Sequence, residues 1–254
     1  MFVPLDAPQT HTGTSHLPFL TYLRLKLPCA YDFAHLASCM PGTVALRLRH
    51  LCLQIVDGTG PGGDLSYTRS WQGDGNPFDS DEGHLFSNLQ RKHPNTAYMQ
   101  DICGLVNRCK NLESLGLVGT QCINLESLNW QPAEGPGLKT LYMSRVIATA
   151  EQLLTLLSSG RGDGACHIEA FDIKDVELMN GTWESVFARL LTSSSLVFLQ
   201  IFNLKYNIRG HSAHLALYNS RPWENVSEIW TKSRQDCERL SDVISAVESR
   251  VAAE

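Results

Sequence analysis

Hydrophobic residues recur along the chain in one short pattern, Leu-x-x-Leu-x-apolar. Within each copy the fourth and sixth residues are apolar and the residue between them usually is not, which is typical of a strand whose successive side chains point to opposite faces. Most copies begin 26 to 30 residues apart, if two spacings of 13 are summed. Seven short strands are therefore predicted. The copies begin at Leu20, Leu48, Leu112, Leu125, Leu138, Ile168 and Leu196.

Between the copies the apolar spacing becomes helical, at i, i+3, i+4 and i+7. Asn95, Thr149 and Thr182 are placed to cap three of the predicted helices, and Thr149 begins a Thr-x-x-Gln capping box. The apolar residues that mark the four helices are Phe33, Leu36, Ala37 and Met40; Tyr98, Ile102, Leu105 and Cys109; Leu153, Leu154, Leu156 and Leu157; and Trp183, Val186, Phe187, Leu190 and Leu191.

The repeating unit is thus one short strand followed by one helix, and neither can bury its apolar face alone. We therefore predict an α/β fold, an irregular leucine-rich-repeat-like solenoid with a parallel sheet inside and helices outside. The alternative is an ordinary α/β domain whose leucines fall in this pattern by chance. The copies at Leu112 and Leu125 are too close to hold a helix between them, so we expect adjacent strands joined by a tight return.

The boundaries follow from where the pattern stops. Residues 1–16 form an N-terminal tail, residues 17–206 the repeats, and residues 207–254 a C-terminal loop and capping helix. A Gly- and Asp-rich insertion at 57–94 interrupts the repeats and is expected on the surface. A stripe spaced by 3 and 4 residues predicts the final helix, which caps the last repeat; a two-stranded coiled coil is the alternative. That stripe is Cys237, Leu240, Ile244, Val247 and Val251.

Composition places the chain among ordinary globular proteins. Of its 254 residues, 43% are hydrophobic and 19% charged, and the net charge is −5. A nucleic-acid reader usually carries a basic face, so no nucleic-acid partner is predicted. No signal peptide and no apolar stretch of about 20 residues is visible, so no membrane partner is predicted either. We expect a cytoplasmic or nuclear protein whose eight cysteines are reduced.

Several motifs suggest other chemistry, but each lacks the context that the chemistry needs. Gly58-x-Gly60-x-x-Gly63 matches the dinucleotide-binding fingerprint, yet no helical period follows it. The acidic run at 74–81 lacks the ligand order of a calcium-binding EF-hand. No nucleophile elbow or catalytic triad is recognisable. No cofactor and no catalytic residue is therefore predicted.

One cluster has metal-ligating residue types but not the usual spacing of a zinc site, because it contains no Cys-x-x-Cys pair. No metal is therefore predicted, and a small zinc-binding or enzymatic domain stays as an alternative. The cluster consists of Cys29, His35, Cys39, His50 and Cys52.

What remains is a surface for binding. Alternate residues of each predicted strand point away from the core onto the inner wall of the sheet. The first strands place positive charge there, the middle strands small polar residues and the last strand aromatic residues, which are plausible anchors for a protein partner unless the C-terminal segment covers them. The predicted partner-binding residues are Tyr22, Arg24, Lys26, His50, Asn129, Tyr142, Asp172, Lys174, Phe198, Gln200 and Phe202.

Four segments carry a resemblance to a known family: LPFLTYLRLKLP, RCKNLESLGLVGT, GLKTLYMSRV with its ATAEQLLTLL helix, and NGTWESVFARLLTSSSLVFLQIFNLKY. Over roughly residues 17–206 the chain resembles the leucine-rich-repeat-like region of fungal F-box proteins. The resemblance implies a non-enzymatic substrate-recognition module of a cullin-type ubiquitin ligase, whose solenoid holds the protein to be modified. The F-box itself is not in this chain, so a ligase adaptor is expected as a partner only if an F-box lies upstream. The alternative is a stand-alone scaffold without a ligase link.

Overall fold

A computed structural model describes residues 19–57, 89, 92–160, 165–208 and 233–253, together with the short segments 211–212, 217–219 and 228–231. The predicted N-terminal tail and most of the 57–94 insertion lie outside these residues. The strands are β1 (Tyr22–Leu27), β2 (His50–Ile55), β3 (Ser114–Asn124), β4 (Thr140–Thr149), β5 (Ala170–Asn180), β6 (Phe198–Phe202), β7 (Lys205–Ile208), β8 (His211–Ser212), β9 (Leu217–Asn219) and β10 (Glu228–Trp230). The helices are α1 (Ala30–Cys39), α2 (Gly42–Ala45), α3 (Met99–Arg108), α4 (Ala150–Leu156), α5 (Trp183–Leu191) and α6 (Arg234–Val251), with a 3-10 helix at Asn95–Ala97.

The main sheet is open and its first six strands are parallel neighbours in chain order. β7 continues beside the second half of β5, β8 pairs antiparallel with β7, and β9 and β10 form a separate antiparallel pair. The α/β fold with a parallel sheet is confirmed. The register is constant over the first five or six residues of these strands, so equivalent residues of the repeated pattern form straight rows there; it shifts after Val118 of β3 and after Ala148 of β4. One such row is Leu23, Leu51, Leu115, Leu141, Phe171 and Leu199.

The core lies between one face of the sheet and the helices. Alternate strand residues such as Leu51, Leu115 and Leu141 are buried there, together with the apolar stripes of the helices. Burying one such side chain contributes about 1.5 to 3 kcal/mol, so these positions stabilise the packing of the sheet on the helices. Helix α1 packs on α3, α4 on α5, and α5 on α6. One face of the sheet therefore lies under the helices, and the other face does not.

Two of the three predicted helix caps are present. The Thr149 side chain accepts a hydrogen bond from Gln152 N at 3.2 Å, and Thr149 N donates to Gln152 Oε1 at 2.9 Å, which completes the capping box. Thr182 Oγ1 accepts from Ser185 N at 3.2 Å. The prediction of Asn95 as a cap was wrong, because Asn95 begins the 3-10 helix and α3 starts only after Tyr98, which forms no side-chain cap.

The repeated pattern that begins at Leu125 does not form a strand, so the prediction of two adjacent strands was wrong. β3 runs through to Asn124, and residues 125–130 follow it as turns beside α3 and α4. Gln152 Nε2 donates to the carbonyls of Leu125 and Leu128 at 2.5 and 3.3 Å, and Trp130 Nε1 donates to Cys109 O at 2.9 Å. The Leu-x-x-Leu spacing also suits a turn, and this turn buries its apolar residues among the helices.

The C-terminal helix α6 packs against α5 and β6. Leu240 and Val247 of the predicted stripe are buried and Val251 is exposed. Val243, which is outside that stripe, is buried as well. Leu240 and Val247 therefore pack inside the chain, together with the half-buried Ile244.

A buried carboxylate fixes the first turn of α6. Asp236 is fully buried; its Oδ1 accepts a hydrogen bond from Glu184 N at 2.8 Å, and its Oδ2 accepts from the hydroxyls of Tyr206 at 2.7 Å and Thr231 at 2.5 Å. The Tyr206 hydroxyl in turn accepts from Trp183 N at 2.9 Å. Burial raises the pKa of Tyr206, so its hydroxyl keeps the proton that it donates to Asp236. The network joins α5, β7 and α6.

Candidate binding surface

The face of the sheet opposite the helices is called the open face here. It is formed by the alternate residues of β1 to β6 that lie between the buried positions, and the constant register arranges them in three rows. The first row is Tyr22, His50, Ser114, Thr140, Ala170 and Phe198. The second row is Arg24, Cys52, Gly116, Tyr142, Asp172 and Gln200. The third row is Lys26, Gln54, Val118, Ser144, Lys174 and Phe202. Ten of the eleven predicted partner-binding residues lie in these rows.

Asn129 is the eleventh residue, and the structure places it elsewhere. It lies exposed in the turn that follows β3, beside α3, where its backbone N donates to Asn107 Oδ1 at 3.0 Å. The prediction of Asn129 on the inner wall was wrong because it assumed that residues 125–130 form a strand.

The β1 end of the open face is cationic. Arg24 and Lys26 are exposed, and among the described residues no carboxylate pairs with either of them. Tyr22 is 57% exposed and its ring centroid lies 5.8 Å from that of His50. The two charged side chains and the two rings therefore form one accessible patch.

The middle of the open face carries small side chains. Gly116 lies beside Cys52, and a Cβ added at Gly116 would come within 2.8 Å of Cys52 Sγ. Ser114, Thr140 and Ala170 occupy the first row on β3 to β5. The Cys52 side chain occupies the space beside Gly116, which is buried, so small half-buried side chains form the surface at this point.

A lysine connects an aromatic ring and a carboxylate on β4 and β5. Lys174 Nζ lies 5.8 Å from the ring centroid of Tyr142 and 3.5 Å from Asp172 Oδ1. Burial raises the pKa of Asp172, while the positive charge of Lys174 opposes this shift. Asp172 Oδ1 is buried and accepts no hydrogen bond from the described residues. The carboxylate is thus held in a poorly solvated position next to the surface.

The β6 end of the open face is aromatic. Phe198 and Phe202 are 46% and 42% exposed and flank the half-buried Gln200. Helix α6 packs against α5 and leaves both rings exposed, so it does not cover them. Large exposed apolar side chains grouped on one surface are typical of interaction sites.

Sequence reasoning missed a polar row one position beyond the third row of the open face, which lies within β4 and β5 and directly after β6. Arg145, Asp175 and Asn203 share one register position, and their φ angles are 58°, 52° and 53°. Asn203 Nδ2 donates to Asp175 Oδ1 at 2.5 Å, and Arg145 Nε lies 4.0 Å from Asp175 Oδ2. This left-handed conformation costs about 1 kcal/mol or more for a residue other than glycine, and the side-chain contacts offset that cost. The available signal was a polar residue at the eighth position of three successive copies.

The metal-ligating residue types of the sequence are separated by the sheet. Cys29, His35 and Cys39 belong to α1 or its start, whereas His50 and Cys52 lie on the open face of β2. Among the described residues, no group of three or more His, Cys, Asp or Glu side chains could hold a metal ion. The glycine motif at 58–63 and the acidic run at 74–81 lie outside the described residues.

Four cysteines are buried packing residues (Cys29, Cys103, Cys109 and Cys166), whereas Cys39 is exposed and the other three are half-buried. All eight are free thiols, and burial raises the pKa of Cys103 and of Cys109 to about 11, so both stay protonated and unreactive at neutral pH. In the described part of the chain no helix is both long and apolar enough to cross a membrane.

Comparisons of the chain with protein-family models, with curated proteins and with solved structures find no match in any of the three.

Proposed function

We propose that the chain is a non-catalytic protein–protein interaction module, an irregular leucine-rich-repeat-like solenoid that binds a partner protein on its open face. One observation carries this proposal. The open face carries exposed aromatic side chains at both ends, Tyr22 on β1 and Phe198 and Phe202 on β6, on a surface without a covering helix among the described residues. Aromatic side chains of this kind dominate the binding energy of many protein interfaces.

The repetition of the unit supports the solenoid. Equivalent residues of β1 to β6 stand in straight rows, and the left-handed position at Arg145 recurs at Asp175 and Asn203. A sheet of repeated parallel strands provides a long, regular surface, which suits the binding of an extended protein segment.

The resemblance to fungal F-box proteins supports a more specific role, the recognition of a protein that a cullin-type ubiquitin ligase modifies. A ligase adaptor is a partner in this proposal only if an F-box lies upstream. The 5′ end of the native transcript tests this link. An in-frame upstream segment with F-box-like helices would support a ligase receptor, whereas a transcript that starts at Met1 would leave a stand-alone binding module.

The binding proposal is tested by affinity enrichment and mass spectrometry from the cells that express the chain. The double variant Phe198→Ser/Phe202→Ser alters the open face, and Leu46→Ser/Val251→Ser removes two exposed apolar side chains elsewhere. We expect the wild type and the control variant to retain the same partner and the open-face variant to lose it. Partner loss with the control variant and retention with the open-face variant would contradict the proposal.

A further inference from the structure

We propose that the partner segment bound by the open face is acidic at one end and apolar at the other. Its carboxylates would meet Arg24 and Lys26 on β1, and its aromatic or aliphatic anchor would meet Phe198 and Phe202 on β6. This inference rests on the proposed function and adds the chemistry and direction of the partner.

The open face carries more positive than negative charge. Three cations, Arg24, Lys26 and Lys174, face a single carboxylate, Asp172, although the chain as a whole has a net charge of −5. Asp172 is already engaged at close range by Lys174, which leaves the positive charge of β1 unbalanced. Complementary charge across an interface favours fast association and correct orientation, so an acidic segment suits this end.

Two other cations close to the sheet differ from Arg24 and Lys26, because each of them pairs with a carboxylate. Arg49, one residue before β2, pairs with Glu113 at 2.7 Å, and Lys139, one residue before β4, pairs with Glu113 at 3.2 Å. The chain therefore supplies a carboxylate to cations at the amino ends of the strands. Among the described residues it supplies none to Arg24 and Lys26.

Protection of the sheet edge against pairing with other chains would also explain why Arg24 and Lys26 are charged. β1 is the first strand of the sheet, and charged residues on an edge strand discourage pairing with other chains. That role requires charge of either sign and involves no ligand. Binding requires positive charge specifically, so charge reversal at Arg24 and Lys26 separates the two explanations.

The geometry of the sheet sets the length of the segment. β1 and β6 are separated by five strand-to-strand steps of about 4.8 Å, or roughly 24 Å. An extended peptide covers this distance with about seven residues. On β3 to β5 the first row carries the small, half-buried side chains of Ser114, Thr140 and Ala170, which leave room for the peptide between the two ends.

A protein segment fits this surface better than a nucleic acid does. Phosphate backbones need many cations spread along their path, whereas the open face has cations at one end and exposed phenylalanines at the other. An RNA oligonucleotide of about 20 nucleotides therefore serves as a probe in the test, and RNA binding tighter than that of the selected peptides would overturn the proposal.

The test is a selection from a displayed library of random peptides of about 16 residues against the full chain. We expect the enriched peptides to carry Asp or Glu near one end and Phe, Leu or Trp about six to eight residues away. Their affinities are then measured by fluorescence polarisation for three variants: Arg24→Glu/Lys26→Glu, Phe198→Ser/Phe202→Ser, and the control Arg234→Glu, which reverses an exposed charge on α6.

The proposal predicts that each open-face variant weakens binding at least about tenfold and that Arg234→Glu changes it little. Added salt should weaken wild-type binding and have less effect on the Arg24→Glu/Lys26→Glu variant. Enriched peptides that lose affinity with Phe198→Ser/Phe202→Ser but are basic or uncharged would overturn the proposed chemistry and leave the proposed function standing. Peptides unaffected by both open-face variants, or a selection without any enrichment, would contradict both.

Discussion

At the scale of single residues, the carboxylate of Asp236 anchors the C-terminal helix α6 to the rest of the protein. It is fully buried and accepts hydrogen bonds from Glu184 N, Tyr206 and Thr231. A buried carboxylate is costly to place unless donors surround it, and here they come from three different parts of the chain. The arrangement depends on the carboxylate and its donors together.

We predict that Asp236→Ala lowers the free energy of unfolding by about 3 kcal/mol or more, because one buried and two half-buried donors lose their acceptor. Asp242→Ala is the matched control, since Asp242 lies on the same helix, is exposed and, among the residues that the structure describes, pairs with Arg239 alone at 3.3 Å. It should cost about 0.5 kcal/mol or less. Urea unfolding measures both changes. Equal effects of the two substitutions would show that the network does not hold the helix.

Asp172 gives a prediction about pH. Burial raises its pKa above the ordinary value, so the folded protein binds this proton more tightly than the unfolded chain does. Its contribution therefore favours folding at low pH and disfavours it as the pH rises through the raised pKa. Asp172→Asn should increase stability at pH 7 by up to about 0.5 kcal/mol after solvent screening.

The difference between Asp172→Asn and the wild type should disappear as the pH falls below about 4, where both side chains are neutral. Urea unfolding of the two proteins from about pH 3 to pH 7 measures it. A variant that is less stable than the wild type at pH 7 would show that the attraction between Asp172 and Lys174 outweighs the cost of burial.

At the scale of elements, the turn between β5 and α5 shows how the unit changes from strand to helix. Gly181 has a φ of 84°, and a Cβ there would lie 2.4 Å from Ala150 Cβ at the start of α4. Thr182 then caps α5, and Trp183 N donates to the Tyr206 hydroxyl. Glycine is needed here both for its backbone conformation and for its lack of a side chain.

We predict that Gly181→Ala destabilises the protein by about 2 to 4 kcal/mol, because it adds both backbone strain and a clash. Gly104→Ala is the control: Gly104 lies within α3 with no neighbouring atom within 4 Å of an added Cβ, so alanine should stabilise that helix by about 0.5 to 1 kcal/mol. Thermal unfolding should therefore show shifts of opposite sign. A gain in stability from Gly181→Ala would contradict the described turn.

Helix α6 gives a prediction about assembly. Leu240 is buried against the body of the protein and Val251 is exposed near the end of the helix. Leu240→Glu should cost about 3 kcal/mol or more in stability, since it buries a charge, whereas Val251→Glu should cost little. Urea unfolding and light scattering measure the two effects. A wild-type dimer that Leu240→Glu converts into a stable monomer would contradict the role of α6 as an intramolecular cap.

At the scale of the whole molecule, the sequence predicts the rows of the sheet well and the segments between them less well. The strands and the open face are predictable because alternation and a spacing of 26 to 30 residues encode them locally. Residues 125–130 are not, since Leu-x-x-Leu suits a strand, a helix or a turn and only packing against Gln152 decides between them. Asp236 was missed because its partners are distant in sequence.

Hydroxyl-radical footprinting tests directly whether the partner binds on the open face. Labelling of Phe202, 42% exposed on the open face, is compared with that of Tyr31, 43% exposed on α1, with and without the tightest selected peptide. Bound peptide should reduce the labelling of Phe202, Phe198 and Tyr22 severalfold and leave the labelling of Tyr31 unchanged. Protection of Tyr31 with no change at Phe202 would contradict binding on the open face.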